Sequence, residues 1–101
     1  MVGRRADISV ESFVWNDEIE AHLAKHEVTR AHIRAVLANT PRYFENLEGR
    51  GGSHVMVGPD NEGRYFYVSI SRTVEATRWY PVTAWPLGRR GARIYNSRGD
   101  Q

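Results

Sequence analysis

Apolar residues recur at helical spacing in the first third of the chain. A short β-like run over residues 12–15 precedes Asn16 and Asp17, either of which can cap a helix. Glu20 lies three residues after Asp17, which is the spacing of a capping box. We predict a helix over residues 17–26. The stripe expected to face the core consists of Ile19, His22, Leu23 and His26.

A second helix is predicted directly afterwards. Residues 27–28 interrupt the first pattern, and Thr29 can cap a helix over residues 31–39. The sequence Asn-Thr-Pro at residues 39–41 ends it, because proline disfavours helical backbone in the residue before it. The residues expected on its core face are Ile33, Val36 and Leu37. The two helices together form an α-hairpin.

From Arg42 onward the pattern changes to the alternation that is typical of β-strands. Strands are predicted at residues 43–44, 54–57 (HVMV) and 64–71 (RYFYVSIS), and the turn sequence GPDNEG at residues 58–63 joins the last two as a hairpin. The strand at residues 64–71 is expected to have one buried face and one solvated face. The buried face would carry Phe66, Val68 and Ile70, and the solvated face Tyr65, Tyr67, Ser69 and Ser71.

A fourth strand and a closing helix complete the predicted elements. The strand covers residues 77–85, and Pro81 within it cannot donate a ladder hydrogen bond, which implies an edge position or a bulge. Pro86 can open the helix as its first residue, while Gly88 and Gly91 weaken it.

These elements define one small α+β domain. A chain of 101 residues supports one hydrophobic core, so we predict a single domain over residues 1–101 with an ordered core at about residues 12–97. It consists of an N-terminal short strand and an α-hairpin packed on a roughly four-stranded antiparallel sheet, with a C-terminal helix. The chain has no cysteine and no apolar leader, so we expect a cytoplasmic protein that neither forms disulfides nor contacts a membrane.

Charge is unevenly distributed along the chain. The formal net charge is +2, but residues 1–63 hold ten acidic and seven basic residues, whereas residues 64–101 hold seven arginines and two acidic residues. A clustered positive field attracts phosphates. The sequence therefore predicts a polyanionic partner, with RNA as the first choice. A solvated basic face is the alternative.

The residue types favour metal-independent chemistry. His22 and His26 have the spacing of a metal-binding pair, but the chain offers no cysteine and His22 is followed by leucine. We therefore expect no metal and no other cofactor. No glycine pattern matches a phosphate-binding loop, and no serine lies in a nucleophile elbow. Arginines that hold a phosphate, with histidine, lysine and tyrosine to move protons, suit the cleavage of RNA.

Three segments carry motifs in a recognisable order. Residues 13–28 (FVWNDEIEAHLAKHEV) contain a strand ending in Trp-Asn, a helix and then Lys-His, with Glu27 before the valine. Residues 63–70 (GRYFYVSI) form a strand opening with Gly-Arg, and residues 77–98 (TRWYPVTAWPLGRRGARIYNSR) form a closing strand and helix. This order resembles the BrnT-type toxins of the RelE-like ribonuclease superfamily, in which glycine usually fills the position of Glu27. The resemblance covers residues 13–98.

The resemblance implies a RelE-like α+β fold, metal-independent cleavage of RNA that stops translation, and neutralisation by a DNA-binding antitoxin. By position, Lys25, Arg64 and Arg78 match basic residues of the family, and His26 is a candidate proton carrier.

Two positions depart from the family pattern. Trp85 stands where the family usually has an arginine, and Gly91 stands near the position of an expected glutamate.

The first functional hypothesis is a bacterial type II toxin that acts as an endoribonuclease, on free RNA or on the ribosome. Its catalytic residues would be Lys25, His26, Arg64 and Arg78. Its further RNA contacts would be Arg72, Tyr80, Arg89, Arg90 and Arg93. A RelE-like module that binds RNA or protein without catalysis is the alternative, which the loss of an arginine at Trp85 favours. A basic face that docks on an acidic protein partner is a third possibility.

Overall fold

The structure is a computed structural model that describes residues 2–48 and 51–97. Within these residues the chain forms six strands and three helices. In chain order they are β1 Val2–Arg5, β2 Ser12–Phe13, α1 Asp17–Ala24, α2 Arg30–Ala38, β3 Arg42–Asn46, β4 His54–Pro59, β5 Tyr65–Arg72, β6 Arg78–Pro86 and α3 Arg90–Tyr95.

The six strands belong to one mixed sheet with the order β1-β3-β4-β5-β6-β2. Neighbouring strands are antiparallel except that β2 runs parallel to β6. The predicted α+β class, the α-hairpin and the C-terminal helix are confirmed, whereas the sheet has six strands where roughly four were expected. The strand β1 begins well before residue 12, where the ordered core was expected to start. Its four residues are too few to show a clear alternation.

Capping side chains begin both helices of the α-hairpin. The Asn16 side chain accepts a hydrogen bond from the backbone N–H three residues later, with Oδ1 and N 2.8 Å apart. Thr29 caps α2 by accepting from the His32 N–H, and His32 Nδ1 accepts in return from the Thr29 N–H. Asn16 and Thr29 are thus confirmed as caps. The capping box expected for Asp17 and Glu20 forms instead at α2.

A turn with left-handed backbone closes the end of α1. The Val28 N–H donates to the Leu23 carbonyl, and the Glu27 N–H donates to the Ala24 carbonyl. These are the two hydrogen bonds of a Schellman motif, which normally has glycine at its left-handed position. Here Glu27 occupies that position with φ of 59°. His26 belongs to this turn and directly precedes Glu27.

The α-hairpin packs on the face of the sheet that carries Phe66, Val68 and Ile70, which we call the first face. These three residues are buried as predicted, and so are Ile33 and Val36 on α2. The other buried members of this cluster are Phe13, Leu23, Val28, Met56, Trp79 and Ala84. Because each large apolar side chain contributes about 1.5–3 kcal/mol when it is buried, this cluster is the main core.

The helix α1 departs from its predicted core stripe. It follows β2 and lies beside β6. Leu23 is buried and Ile19 packs against the core as expected, but His22 and His26 are exposed. A helix at the side of a sheet buries only the part of its surface that is turned to the core. The two histidines are therefore accessible from the opposite face.

The opposite face of the sheet, which we call the second face, is covered in its middle. Tyr67 and Ser69 on β5 are only 3% and 1% exposed, so the prediction of a solvated face is wrong for these residues. The helix α3 supplies Ile94 and Tyr95, which pack against a second apolar cluster that includes Phe44. Alternation separates the two faces of a strand, but it does not reveal that a distant helix covers one of them.

The strand β6 contains the bulge that Pro81 predicts. Ser69 lies opposite Thr83 and the adjacent Ile70 lies opposite Pro81, so Val82 is an extra residue on β6. A bulge of this kind leaves one residue unpaired and bends the strand.

The closing helix begins later than predicted. Pro86 is the last residue of β6 rather than the first residue of a helix, and the next residue, Leu87, still donates its N–H to the Tyr65 carbonyl. Gly88 then turns the chain with φ of 63°, and α3 begins at Arg90.

Candidate functional site

A cleft of about 450 Å³ opens on the second face of the sheet, between α1, the strands β5 and β6 and the loop after β3. The residues that line it are His22, Asn46, Glu48, Gly51, Tyr67, Ser69, Val82, Thr83 and Trp85. We call it the histidine cleft, because His22 lines it and the ring of His26 lies beside Trp85.

Paired residues of β5 and β6 form the floor of the cleft. Tyr67 lies opposite Trp85, and their rings stack with centroids 4.4 Å apart and planes at 12°. Ser69 lies opposite Thr83, and its hydroxyl donates to the Gly51 carbonyl over 3.2 Å. This hydrogen bond ties the loop after β3 to the sheet. Aromatic rings and hydroxyl groups therefore follow one another along the floor.

The phenol of Tyr67 is held in its protonated form. Its hydroxyl donates to Glu48 Oε2 over 3.0 Å. Burial, together with the hydrogen bond to the Glu48 carboxylate and its negative charge, raises the pKa of Tyr67 well above the ordinary value for tyrosine. Tyr67 therefore does not act as a base, and its single hydroxyl proton is already donated to Glu48.

Two histidines lie at the side of the cleft formed by α1. His22 lines the cleft from the last turn of α1. The His26 ring centroid lies 6.0 Å from that of Trp85, with the planes at 59°. His26 lies two residues after the last residue of α1, in the turn that closes this helix. Because imidazole both accepts and donates protons near neutral pH, the pair is suited to proton transfer.

The guanidinium group of Arg64 forms ion pairs with two acidic side chains. Its Nη2 lies 2.9 Å from Asp60 Oδ2 and 2.9 Å from Glu62 Oε1, and it lies 3.2 Å from His32 Nε2 on α2. Burial alone would raise the pKa of Asp60, but hydrogen bonds from Arg64 and Glu62 outweigh burial and lower it. Arg64 thus stabilises the turn between β4 and β5 and is turned toward α2, away from the cleft.

Arg78 lies at the opposite end of the sheet from Arg64. The strands β5 and β6 are antiparallel and Arg72 pairs with Trp79, so the length of β5 separates the two arginines. At about 3.3 Å per residue this length is roughly 25 Å. The hypothesis that both arginines hold one phosphate is therefore wrong. Arg78 instead forms an exposed ion pair with Glu75, with Nη1 and Oε2 3.5 Å apart.

The residues predicted to contact RNA are divided between the two faces. The Arg72 guanidinium lies 4.7 Å from the ring centroid of Trp79, which is buried in the core of the first face. Tyr80 lies opposite Ser71 and is 43% exposed. Three more members of this set are exposed on or just before α3, namely Arg89, Arg90 and Arg93.

The other positions that the sequence singles out are Lys25, Gly91 and Arg98. Lys25 is exposed directly after α1, next to His26. Gly91 packs so closely on Tyr65 that a Cβ atom at this position would overlap the tyrosine side chain. The glutamate expected there would therefore displace α3. Arg98 lies outside the described residues, as do Gly49 and Arg50 of the loop after β3.

Sequence reasoning missed the part of the cleft that depends on the loop after β3. Glu48 belongs to no motif and enters the site only because Tyr67 donates to it across the folded chain. His22 was considered only as a core or metal-binding residue. The available signal was the polar pair Tyr67 and Ser69 in the middle of a strand, because buried polar groups require hydrogen-bond partners.

Residues 2–48 and 51–97 contain no group of three or more His, Cys, Asp or Glu side chains that could hold a metal ion. No helix in this described part of the chain is long and apolar enough to cross a membrane. Comparison of the chain with known protein families, with curated proteins and with solved structures gave no match. The similarity to BrnT-type toxins therefore rests on the sequence motifs alone.

Proposed function

We propose that this protein binds single-stranded RNA in the histidine cleft and cleaves it without a metal, as the toxin of a toxin–antitoxin pair. The supporting observation is that His22 lines the cleft and the His26 ring lies beside Trp85, whose ring stacks on that of Tyr67 in the cleft floor. The motifs shared with BrnT-type toxins favour the same class of protein.

Cleavage of RNA without a metal requires two proton transfers. One imidazole takes the proton of the 2′-hydroxyl, whose oxygen attacks phosphorus, and the other imidazole gives a proton to the departing 5′-oxygen. The bond from phosphorus to the 5′-oxygen breaks, which leaves a 2′,3′-cyclic phosphate and a 5′-hydroxyl. The aromatic floor suits this chemistry, because bases of single-stranded RNA stack on aromatic side chains.

In this proposal the predicted residues take partly different roles. His26 is kept as a proton carrier, and His22 joins it. Lys25 is exposed beside His26 and is assigned to phosphate binding. Arg64 is assigned to the turn between β4 and β5, because Asp60 and Glu62 already neutralise it.

The test combines expression with a cleavage assay in EDTA. Wild-type protein is expected to arrest growth and to cleave single-stranded RNA, and His22→Ala or His26→Ala to lower the rate about 100-fold or more. His54→Gln is the matched control, because His54 lies away from the cleft, edge-on to the buried Trp79. Cleavage that both cleft variants retain would contradict the assignment of the histidines. No growth arrest and no cleavage by the wild type would contradict the function.

A second candidate is RNA binding without cleavage, and one observation favours it. Among the described residues that line the cleft there is no arginine or lysine. Cleavage develops negative charge on the phosphate, which arginine or lysine normally stabilises. In this case the protein binds RNA with an affinity that falls steeply with salt, and no product forms over hours.

A further inference from the structure

Side chains on the second face form a continuous row that leads away from the histidine cleft. Residues directly opposite each other on neighbouring strands project from the same face. The pairs in the row are Tyr67 with Trp85, Ser69 with Thr83 and Ser71 with Tyr80. Trp79 is 1% exposed in the core of the first face, so the alternation of β6 turns both Arg78 and Tyr80 to the second face.

The side chains of this row are of the types that bind a single strand of RNA. An aromatic ring stands at each end, Trp85 in the cleft and Tyr80 outside it, where 43% of the residue is exposed. Between them Thr83 and Ser71 present small, partly exposed hydroxyl side chains, which leave room for sugar and phosphate, whereas Ser69 is covered by the loop after β3. Aromatic rings stack on any base, so such a row of side chains binds RNA without requiring a particular base sequence.

Arg78 supplies positive charge at the far end of the row. Arg78 forms an ion pair with Glu75 over 3.5 Å, and the two side chains are 46% and 61% exposed. Exposed ion pairs of this kind contribute little to stability and are screened by salt. A phosphate can therefore replace Glu75, because guanidinium binds phosphate oxygens with two parallel hydrogen bonds.

The length of the row sets the size of the ligand. The partners of Trp85 and Tyr80 are four residues apart on β5, which corresponds to about 13 Å. A stacked strand advances about 3.4 Å per nucleotide, so about four nucleotides cover this distance and a splayed strand covers it with fewer. We infer that Tyr80 and Arg78 form a second RNA subsite, so that the ligand is an extended single strand and a mononucleotide cannot occupy the whole site. This inference rests on the proposed function.

The test measures affinity by fluorescence anisotropy or calorimetry. The probes are an eight-nucleotide 2′-O-methyl RNA, which cannot be cleaved through its 2′-oxygen, and a nucleoside monophosphate. Tyr80→Ala is expected to weaken binding of the RNA about tenfold and to leave the monophosphate unaffected. Arg78→Gln is expected to weaken RNA binding and to reduce its salt dependence by the contribution of about one phosphate contact.

A control variant removes an exposed charge away from the row. Arg34→Gln on α2 is expected to bind the RNA like the wild type.

The outcomes separate the subsite from the proposed function. If Tyr80→Ala binds the RNA as well as the wild type does while His22→Ala binds it poorly, the subsite is wrong and the cleft remains the RNA site. A monophosphate that binds as tightly as the RNA also overturns the subsite. If the wild type binds neither probe, both the proposed function and the subsite are overturned.

Discussion

Replacing Glu27 by glycine is expected to stabilise the protein. Glu27 has φ of 59° in the turn that closes α1. Left-handed backbone costs a residue with a Cβ atom roughly 1–2 kcal/mol, whereas glycine adopts it readily. Glycine also increases the freedom of the unfolded chain, which opposes the gain by about 0.4–1 kcal/mol. The free energy of unfolding should therefore rise by about 0.5–1 kcal/mol.

A second variant separates the backbone from the charge. Glu27 is exposed near the last carbonyl groups of α1, where a negative charge is unfavourable. Glu27→Ala removes this charge but keeps the Cβ atom and its strain. The glycine variant should therefore be more stable than the alanine variant.

Thermal and urea unfolding measure the effect. For a domain of this size 1 kcal/mol corresponds to about 4–8 °C in Tm, so Glu27→Gly should raise Tm by about 2–8 °C. Equal stability of the glycine and alanine variants would show that charge, and not backbone strain, determines the effect. A lower Tm for Glu27→Gly would refute the reasoning altogether.

Three other substitutions test the packing and the titration of single groups. Gly91→Ala should lower the free energy of unfolding by about 1–3 kcal/mol, because the new Cβ atom would overlap Tyr65; an unchanged urea midpoint would contradict this packing. Hydrogen bonds, including those from Arg64, outweigh the effect of burial and lower the pKa of Asp60 in the folded protein. The contribution of the Asp60 carboxylate to stability is therefore present above about pH 4 and is lost as the pH falls further. The Asp60→Asn variant should therefore be less stable than the wild type at neutral pH and should lose less stability than the wild type on acidification. Urea unfolding between pH 2 and 7 measures both effects. Burial lowers the pKa of His54 in the folded protein. The contribution of the neutral His54 side chain to stability is therefore present above about pH 6.5 and is lost as the pH falls. A His54→Gln variant whose stability declines as steeply as that of the wild type between pH 7 and 5 would exclude this contribution.

The sequence by itself determined most of the elements, because their signals are local. The cap at Thr29 and the apolar spacing of Ile33 and Val36 identify α2 within one or two residues. Pro81 marks the bulge in β6, since a residue without an N–H cannot continue the ladder. The Lys-His motif at residues 25–26 also indicated His26 as a candidate site residue, and the His26 ring lies beside Trp85 of the histidine cleft.

Only the tertiary structure decided which residues meet, because strand pairing and helix packing depend on contacts far apart in the chain. Arg64 and Arg78 belong to neighbouring strands, yet antiparallel pairing places them at opposite ends of the sheet. Glu48 reaches Tyr67 only after the loop folds over the sheet. The positive charge that is clustered in the sequence is therefore dispersed in space, and the histidines beside Trp85 take the central place in the candidate site.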